Sequence, residues 1–186
     1  MLWWLLLAFA PVTTVTIPAG TFRMGDDATP DARPVREVTV ASFRIDRTEV
    51  PIDLFEAFVK GPGWTDDRCW SEGGRAWRAE HPRGAGHVAR VAGRPALDHP
   101  VVAVTYWEAE AYCACAGGAL PTEAQWERAA CGVDPRPEPP GLESGVAWYN
   151  EGKFGSLHGV HTHGVHTASP ANVFGLLDMY GNVWEW

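Results

Sequence analysis

The chain has 186 residues, of which 46% are apolar and 20% charged, so it is long enough for one globular domain with a buried core. This composition excludes an intrinsically disordered protein, and twenty Gly with fifteen Pro predict a fold rich in loops. The net charge of -8 argues against a nucleic-acid backbone as partner, because phosphate binding needs a basic face. Lys60 and Lys153 are the only lysines, so the sequence offers no polybasic patch to a membrane surface.

Residues 1–14 begin with an apolar run that is too short to span a bilayer. Ala8 and Ala10 flank Phe9 in the small-x-small pattern of a signal-peptide cleavage site. Two features argue against export: no Lys or Arg precedes the run, and Pro11 would follow the cut. The residues alone leave three alternatives, which are an export signal, a buried first strand and an incorrectly assigned start.

Alternating apolar residues predict two strands, at 12–17 and 36–45, ahead of the first helix. That helix is predicted to begin at Pro51, because a helix start tolerates the missing N–H of proline. It should end at residues 61–62, Gly-Pro. The apolar residues at helical spacing, interpreted as core, are Ile52, Phe55, Phe58 and Val59.

Residues 61–97 show no clear periodicity and are predicted to form a surface loop packed by its own tryptophans. Trp64, Trp70 and Trp77 occur there among arginines, acids and glycines. The alternative is a ligand site, since aromatic rings beside arginine can stack on a bound molecule.

Two later helices are marked by capping boxes. Thr105 with Glu108 predicts a helix to about Ala116, and Thr122 with Gln125 predicts a second one that ends near residue 131. Their apolar faces are expected to pack on the strands. Four helical glutamates are interpreted as solvated faces, with Glu108 as a cap, rather than as acid/base groups: Glu108, Glu110, Glu123 and Glu127.

The spacing of Cys69, Cys113, Cys115 and Cys131 matches no zinc module. Cys113 and Cys115 are two residues apart on a helix, so they point about 200° apart and cannot share a metal. Disulfides are expected in an exported protein and buried thiols in a cytosolic one, and the sequence assigns no pairing.

The pentapeptide H-G-V-H-T occurs twice in tandem from His158 to Thr167. The four histidines between His158 and His166 could bind zinc or copper, since neutral imidazole is a common ligand. A local duplication explains the repeat without a function, and it is the interpretation we favour.

The last fifteen residues, N-V-F-G-L-L-D-M-Y-G-N-V-W-E-W, combine oxygen donors with two glycines among apolar residues. Asp178, Asn182 and Glu185 supply side-chain oxygens, and Gly175 and Gly181 free the backbone to turn. Such a mixture is typical of a hard-cation loop, in which carboxylates and backbone carbonyls ligate together. A tight buried turn between core aromatics is the alternative that the residues leave open.

Four stretches of the chain, in order, resemble the formylglycine-generating enzyme family, which is also called the sulfatase-modifying-factor family. They are I-P-A-G-T-F-R-M-G (17–25), F-R-I-D-R-T-E-V (43–50), H-P-V-V-A-V-T-Y-W-E-A-E-A-Y-C with L-P-T-E-A-Q-W-E-R-A-A (99–113 and 120–130), and the terminal stretch (172–186). The resemblance spans residues 15–186 and lacks the family's C-terminal third. It implies an α+β fold, an elaborated C-type-lectin-like architecture with short strands. Because the apolar run precedes the resemblance, residues 1–14 are interpreted as a signal peptide of a periplasmic or extracellular protein.

The resemblance also implies a calcium site in which Asp178 and Glu185 give side-chain oxygens and Gly181 and Val183 give carbonyls. In the family, an Asn commonly stands at the position of Asp178. Trp184 would face the substrate pocket, and Trp186 would turn towards the core. Another calcium site of the family matches Asn150, but His158 stands where its Asp would fall.

In complete family enzymes, two cysteines of the C-terminal third bind Cu(I) and, with O2, oxidise a sulfatase cysteine to formylglycine. None of the four cysteines here aligns with them, and Cys113 and Cys131 match positions that bridge to that missing third in some members. The resemblance therefore predicts a fragment or truncated relative that is inactive alone, with a sulfatase-type protein as the possible partner of the whole protein. The alternative is a non-catalytic, lectin-like binding module. A third class, iron-dependent sulfoxide synthases of the ergothioneine pathway, would carry an H-x3-H-x-E motif that this sequence lacks.

Overall fold

The computed structural model describes residues 13–82, 84, 97–132, 164–165 and 171–186. These ranges contain four strands and four α-helices, joined by loops and short 3-10 turns. The strands are β1 (Thr14–Ile17), β2 (Gly20–Met24), β3 (Arg36–Val40) and β4 (Phe43–Asp46). The helices are α1 (Ile52–Lys60), α2 (Glu72–Glu80), α3 (Tyr106–Cys115) and α4 (Glu123–Cys131). The predicted mixture of short strands, helices and loops is confirmed.

The strands form two antiparallel pairs, one nested inside the other along the chain. The outer pair joins β1 to β4 and the inner pair joins β2 to β3. The single strand predicted at 36–45 is wrong, because the chain leaves β3 at Val40 and begins β4 at Phe43 on a different partner. Between them, Ser42 donates a hydrogen bond to the Ile17 carbonyl at 3.0 Å, which holds the point where the pairing changes.

The first buried core, the helical cluster, is built from large aromatic side chains. Its buried members are Phe55, Phe58, Trp64, Cys69, Trp70, Ala111 and Tyr112. Phe58 lies at its centre, with ring centroids of Trp64, Tyr112 and Trp70 at 5.9, 5.8 and 6.2 Å. The predicted helix at residues 52–60 is confirmed, and its apolar stripe does face this core.

The prediction of a surface loop at residues 61–97 is wrong for its first part. Residues 72–80 form α2, capped by Ser71, and Trp64 and Trp70 are buried in the helical cluster. Local periodicity missed this helix because Gly73 and Gly74 are poor helix formers and its apolar face is narrow. Gly73 instead lets α2 approach α3, since a Cβ there would lie 2.6 Å from the ring of Trp107.

Helix α3 packs on α1, α2 and the 3-10 turn Asp67–Cys69, which corrects the prediction that it packs on the strands. A disulfide between Cys69 and Cys115 joins that turn to the end of α3. The predicted capping box is confirmed, with the Thr105 amide donating to Glu108 at 2.8 Å. Glu108 is fully buried, and its carboxylate caps the helix, as the sequence predicts.

Helix α4 does pack on β2 and β3, as predicted, and its capping box at Thr122 and Gln125 is confirmed. One face of α4 helps to build a second core, the terminal cluster, which brings the two ends of the described chain together. Its buried members are Ile17, Ala129, Ala130, Leu176 and Met179. None of the helices in the described ranges combines the length and apolarity that crossing a bilayer requires.

Candidate functional site

The terminal segment, residues 172–186, is fixed at its start by Asn172. The Asn172 side-chain amide donates to the Ala129 carbonyl at 2.7 Å, which attaches the segment to α4. Its Oδ1 accepts from the amides of Phe174 and Leu176 at 2.9 and 3.1 Å. A single side chain thus shapes the first turn and docks it on the terminal cluster.

Four residues of this segment have backbone angles in the left-handed region. Gly175 and Gly181 have φ of 87° and 112°, while Asp178 and Asn182 have φ of 53° and 59°. Asp and Asn visit this region more readily than other non-glycine residues. Such residues let a short segment change direction at closely spaced positions, which a loop that places several oxygens around one cation requires.

Two carboxyl groups of the segment, those of Asp178 and Glu185, lie close enough for their charges to interact. Asp178 is buried, with 6% of its surface exposed. Glu185 is exposed as a whole residue, but its Oε2 accepts from Trp126 Nε1 at 2.7 Å. Burial of the carboxyl group raises the pKa of Glu185, the Trp126 hydrogen bond opposes this, and the charge of Asp178 adds to it.

A third carboxylate, Glu49, reaches the same place from the loop between β4 and α1. Its Oε2 accepts from Asn182 Nδ2 at 2.9 Å, and its Oε1 is buried without a hydrogen-bond partner in the described part of the chain. Burial raises the pKa of Glu49 to about 8, and the charges of Asp178 and Glu185 contribute. The sequence analysis missed Glu49, because one glutamate between Thr48 and Val50 carries no chemical signal until the fold brings it to residue 182.

These groups fit a hard cation only if backbone oxygens take part. Within the described ranges, no three His, Cys, Asp or Glu side chains come close enough to hold a metal by themselves. The predicted set of two carboxylates with the carbonyls of Gly181 and Val183 uses two side chains, so it is compatible with this finding. A carboxylate oxygen left without a partner near two other carboxylates is the environment that a divalent cation would stabilise.

Beside the terminal segment lies a cleft of about 660 Å³. Its walls come from β4 and the loop that follows it, from α3, from the start of α4 and from the terminal segment. Lining residues that could interact with a ligand are Asp46, Glu49, Cys113, Trp126, Trp184 and Trp186.

The tryptophans at the rim of the cleft are exposed. Trp184 lines the cleft and is fully exposed. The expectation that Trp186 turns to the core is wrong, because 58% of its surface is exposed. Trp186 lies over the start of α3, where it donates to the Val104 carbonyl at 3.1 Å and meets the Tyr106 ring edge-on.

All four cysteines lie in the described ranges, and they provide no thiolate pair. Cys69 and Cys115 form the disulfide, and Cys113 and Cys131 are free. Burial raises the pKa of Cys113 to about 11, with a contribution from the charge of Asp46. Burial also raises the pKa of Cys131, whose Sγ lies 3.4 Å from the Tyr180 hydroxyl. The cysteines therefore do not fit a copper site made of two thiolates.

The remaining predictions concern residues that the structure does not describe. The signal peptide lies at residues 1–14, of which only 13–14 are described. The histidines of the 158–166 repeat, and the partial calcium match at Asn150 and His158, are also outside the described ranges.

Comparison with known proteins identifies the wider group. Residues 10–186 match the model of the sulfatase-modifying factor enzyme 1-like domain. The chain is 36% identical over 199 residues to the hercynine oxygenase of Mycolicibacterium smegmatis, covering 94% of this chain and 45% of that protein. It is 34% identical over 225 residues to the formylglycine-generating enzyme of Mycobacterium tuberculosis, covering 92% and 72%.

Two other similarities are to a protein named as inactive and to a solved structure that supports the fold. The inactive C-alpha-formylglycine-generating enzyme 2 of Bos taurus is 35% identical over 227 residues, covering 94% of this chain and 70% of that protein. The structure of PvdO from Pseudomonas aeruginosa superposes with a TM-score of 0.60 at 26% identity, covering 93% of this chain and 69% of PvdO. The predicted fold is thereby confirmed.

Proposed function

Because this chain belongs to the sulfatase-modifying factor family, we propose that it forms the cleft-bearing and calcium-binding part of a formylglycine-generating type of domain. The observation that carries the proposal is the terminal segment. Its left-handed turns, buried Asp178 and cleft-lining Trp184 occur in one continuous stretch beside the cleft. The chain spans about half the length of the hercynine oxygenase and about 70% of the formylglycine-generating enzyme. The activity, substrate and partners of a whole protein are therefore part of the proposal.

The proposed calcium ion would be held by Asp178 and Glu185 side chains and by the carbonyls of Gly181 and Val183. Calcium prefers six to eight oxygen ligands and tolerates irregular geometry, so a loop with mixed side-chain and carbonyl oxygens suits it. When bound, the ion would supply positive charge that offsets the repulsion among the three carboxylates. It would thereby fix the segment that carries Trp184 at the cleft.

Thermal unfolding with and without millimolar calcium tests this site. Calcium should raise the melting temperature of the wild type, because a ligand that binds only the folded state stabilises it by mass action. The Asp178→Ala, Glu185→Ala double variant should lose the shift. A matched double variant of exposed carboxylates, Glu37→Ala with Glu80→Ala, should keep it. An equal shift in all three proteins, or none in any, contradicts the calcium assignment.

In the proposed activity of a complete enzyme, copper and O2 oxidise a cysteine of a sulfatase-type partner to formylglycine. This chain's own cysteines do not fit that copper site, so we expect the chain alone to bind a substrate peptide without oxidising it. Incubation with copper, O2 and a Cys-x-Pro-x-Arg peptide should leave the peptide mass unchanged. Conversion to the aldehyde by the isolated chain would refute the assignment.

Peptide binding would be followed separately by tryptophan fluorescence. Trp184→Ala should weaken binding of the same peptide, since the Trp184 ring is exposed at the cleft rim. Trp77→Ala, a change at a tryptophan that packs against the helical cluster and does not line the cleft, is the matched control for loss of a tryptophan signal. Equal affinity in the wild type and Trp184→Ala removes Trp184 from the binding surface.

A second candidate is a non-catalytic binding module, which is favoured by the fully exposed Trp184 and by similarity to a protein named as inactive. The same titration with a Cys→Ser peptide separates the two candidates. An oxidase-derived cleft should prefer the cysteine peptide, whereas a binding module should not distinguish them.

Export is the last part of the proposal. The Cys69–Cys115 disulfide supports it, because structural disulfides persist in oxidising compartments and are rare in the cytosol. N-terminal sequencing of protein recovered from its native host should find residues up to about Ala10 removed. An intact Met1 on soluble cytosolic protein contradicts export.

A further inference from the structure

We infer that Glu49 is a positioning residue for the cation-binding turn, because it holds residues 182–183 from a segment that is remote in sequence. This inference rests on the proposed calcium site and extends it to a residue outside the terminal segment. Glu49 and Asn182 are 133 residues apart in the chain, and their side chains meet at 2.9 Å.

The stretch that contains Glu49 supports the terminal segment at two places. Near the start of the segment, the Arg47 carbonyl accepts from the Leu177 amide at 3.0 Å, and Arg47 Nε donates to the Gly175 carbonyl at 3.0 Å. Near the end, Glu49 Oε2 accepts from Asn182 Nδ2, and the Val183 backbone amide also hydrogen-bonds to the Glu49 carboxylate. Residues 47–49, which directly follow β4, thus hydrogen-bond to the terminal segment near both its start and its end.

The contacts of Glu49 coincide with a strained position of the turn. Gly181 and Asn182 both have positive φ, which glycine adopts freely but which costs free energy at Asn182 unless the surroundings hold it. A carboxylate that accepts from the side chain of residue 182 and the amide of residue 183 fixes this backbone. The carbonyls of Gly181 and Val183, which are the proposed calcium ligands, flank Asn182, so their directions depend on the backbone that Glu49 holds.

Glu49 lacks the features expected of a group retained for stability alone. Its Oε1 is buried without a hydrogen-bond partner in the described ranges, and two other carboxylates are close enough to oppose its charge. A buried carboxyl group with an unsatisfied oxygen is unfavourable in the absence of a cation. The residue is therefore better explained by the geometry that it imposes on the turn.

Two substitutions of Glu49 separate its role in positioning the turn from the effect of its charge. Gln at position 49 retains an oxygen that can accept from Asn182 and Val183, whereas Ala removes the acceptor. Calorimetric titration with calcium should show at least tenfold weaker binding in Glu49→Ala and no more than threefold weaker binding in Glu49→Gln. Glu37→Gln, a change at an exposed carboxylate away from the cleft, is the control and should match the wild type.

A double-mutant cycle with Asn182→Ala adds a second test. The two side chains act through one contact. The calcium affinity of the Glu49→Ala, Asn182→Ala double variant should therefore be about equal to that of whichever single variant binds calcium less tightly. In calcium-free protein, hydrogen exchange at the Val183 amide should be faster in Glu49→Ala than in Glu49→Gln. The exchange measurement reads the turn directly, without calcium.

The outcomes distinguish failure of the proposed calcium site from failure of the positioning role of Glu49. If the wild type does not bind calcium, the proposed site falls and this inference falls with it. If the wild type binds calcium and Glu49→Ala binds equally well, only the inference is overturned. Equal losses in Glu49→Ala and Glu49→Gln would assign the effect to charge and overturn the positioning role.

Discussion

The helical cluster and the terminal cluster are stabilised in different ways. The helical cluster joins residues 55–112 through large aromatic rings and is tied by the Cys69–Cys115 disulfide. The terminal cluster joins Ile17 to Met179, its members are smaller, and backbone hydrogen bonds such as Leu177 to Arg47 support it. Closing contacts between distant residues costs more chain entropy than closing local ones. We therefore expect the region that carries the candidate site to be stabilised more by a bound cation than the helical cluster.

The largest effect is expected from Phe58→Ala in the helical cluster. Phe58 has no exposed surface and contacts four aromatic rings, so its removal should lower the free energy of unfolding by about 3–5 kcal/mol. Urea denaturation measures this, with the exposed Val173→Ala as the control, which should change stability by less than about 0.5 kcal/mol. A variant that folds should retain the calcium-dependent shift. Loss of that shift in folded protein would show that the two clusters are not separate.

Reducing the disulfide should have the next largest effect. The bond closes a loop with a sequence separation of 46, for which chain-entropy estimates give about 2–4 kcal/mol of stabilisation. Denaturation in the presence and absence of a thiol reductant measures the loss. The Cys69→Ala, Cys115→Ala variant should already be destabilised and should not respond to reductant. If the wild type is equally stable with and without reductant, the disulfide does not stabilise the helical cluster.

Removing the cap of α4 should affect the terminal cluster more modestly. The Thr122 hydroxyl accepts from the Gln125 amide at 3.2 Å, and loss of such a cap costs about 0.5–2 kcal/mol. Thr122→Ala should therefore lower stability, and Thr122→Ser should restore most of it. Because α4 carries Trp126, which binds Glu185, we also expect a smaller calcium shift in Thr122→Ala than in the serine variant. Equal stability of the two variants would contradict the capping role.

The smallest effect on stability at neutral pH concerns Cys113, which lines the cleft and whose contribution changes only in alkaline solution. The pKa of this thiol is raised from 9.0 to about 11, so its contribution to stability is present below pH 9 and is lost as the pH rises towards 11. At pH 9, alkylation by iodoacetamide should be roughly 50-fold slower in native than in urea-unfolded protein, because only the thiolate reacts. Peptide mapping by mass spectrometry from pH 8 to 11 measures both rates. Similar rates in the two states at pH 9 would contradict the raised pKa.

Local sequence signals predicted the elements whose information is contained in neighbouring residues. Proline, glycine and capping residues defined α1, α3 and α4 to within one or two residues, because these residues act on the backbone next to them. The same signals failed at α2, whose glycines oppose helix formation. There the packing of Gly73 against Trp107 compensates for low propensity, and no local pattern encodes such a contact.

The terminal segment shows most clearly what the sequence and the tertiary structure each determine. Its sequence alone determined the oxygen donors and the glycines that permit left-handed turns, since both are properties of individual residues. Only the tertiary structure brought Glu49 to Asn182, bonded Cys69 to Cys115 and left Trp186 at the surface. These outcomes depend on how distant segments pack, because hydrophobic burial is non-directional and does not specify partners along a single sequence. The sequence thus determined the chemistry available to the site, and the packing decided which residues share it.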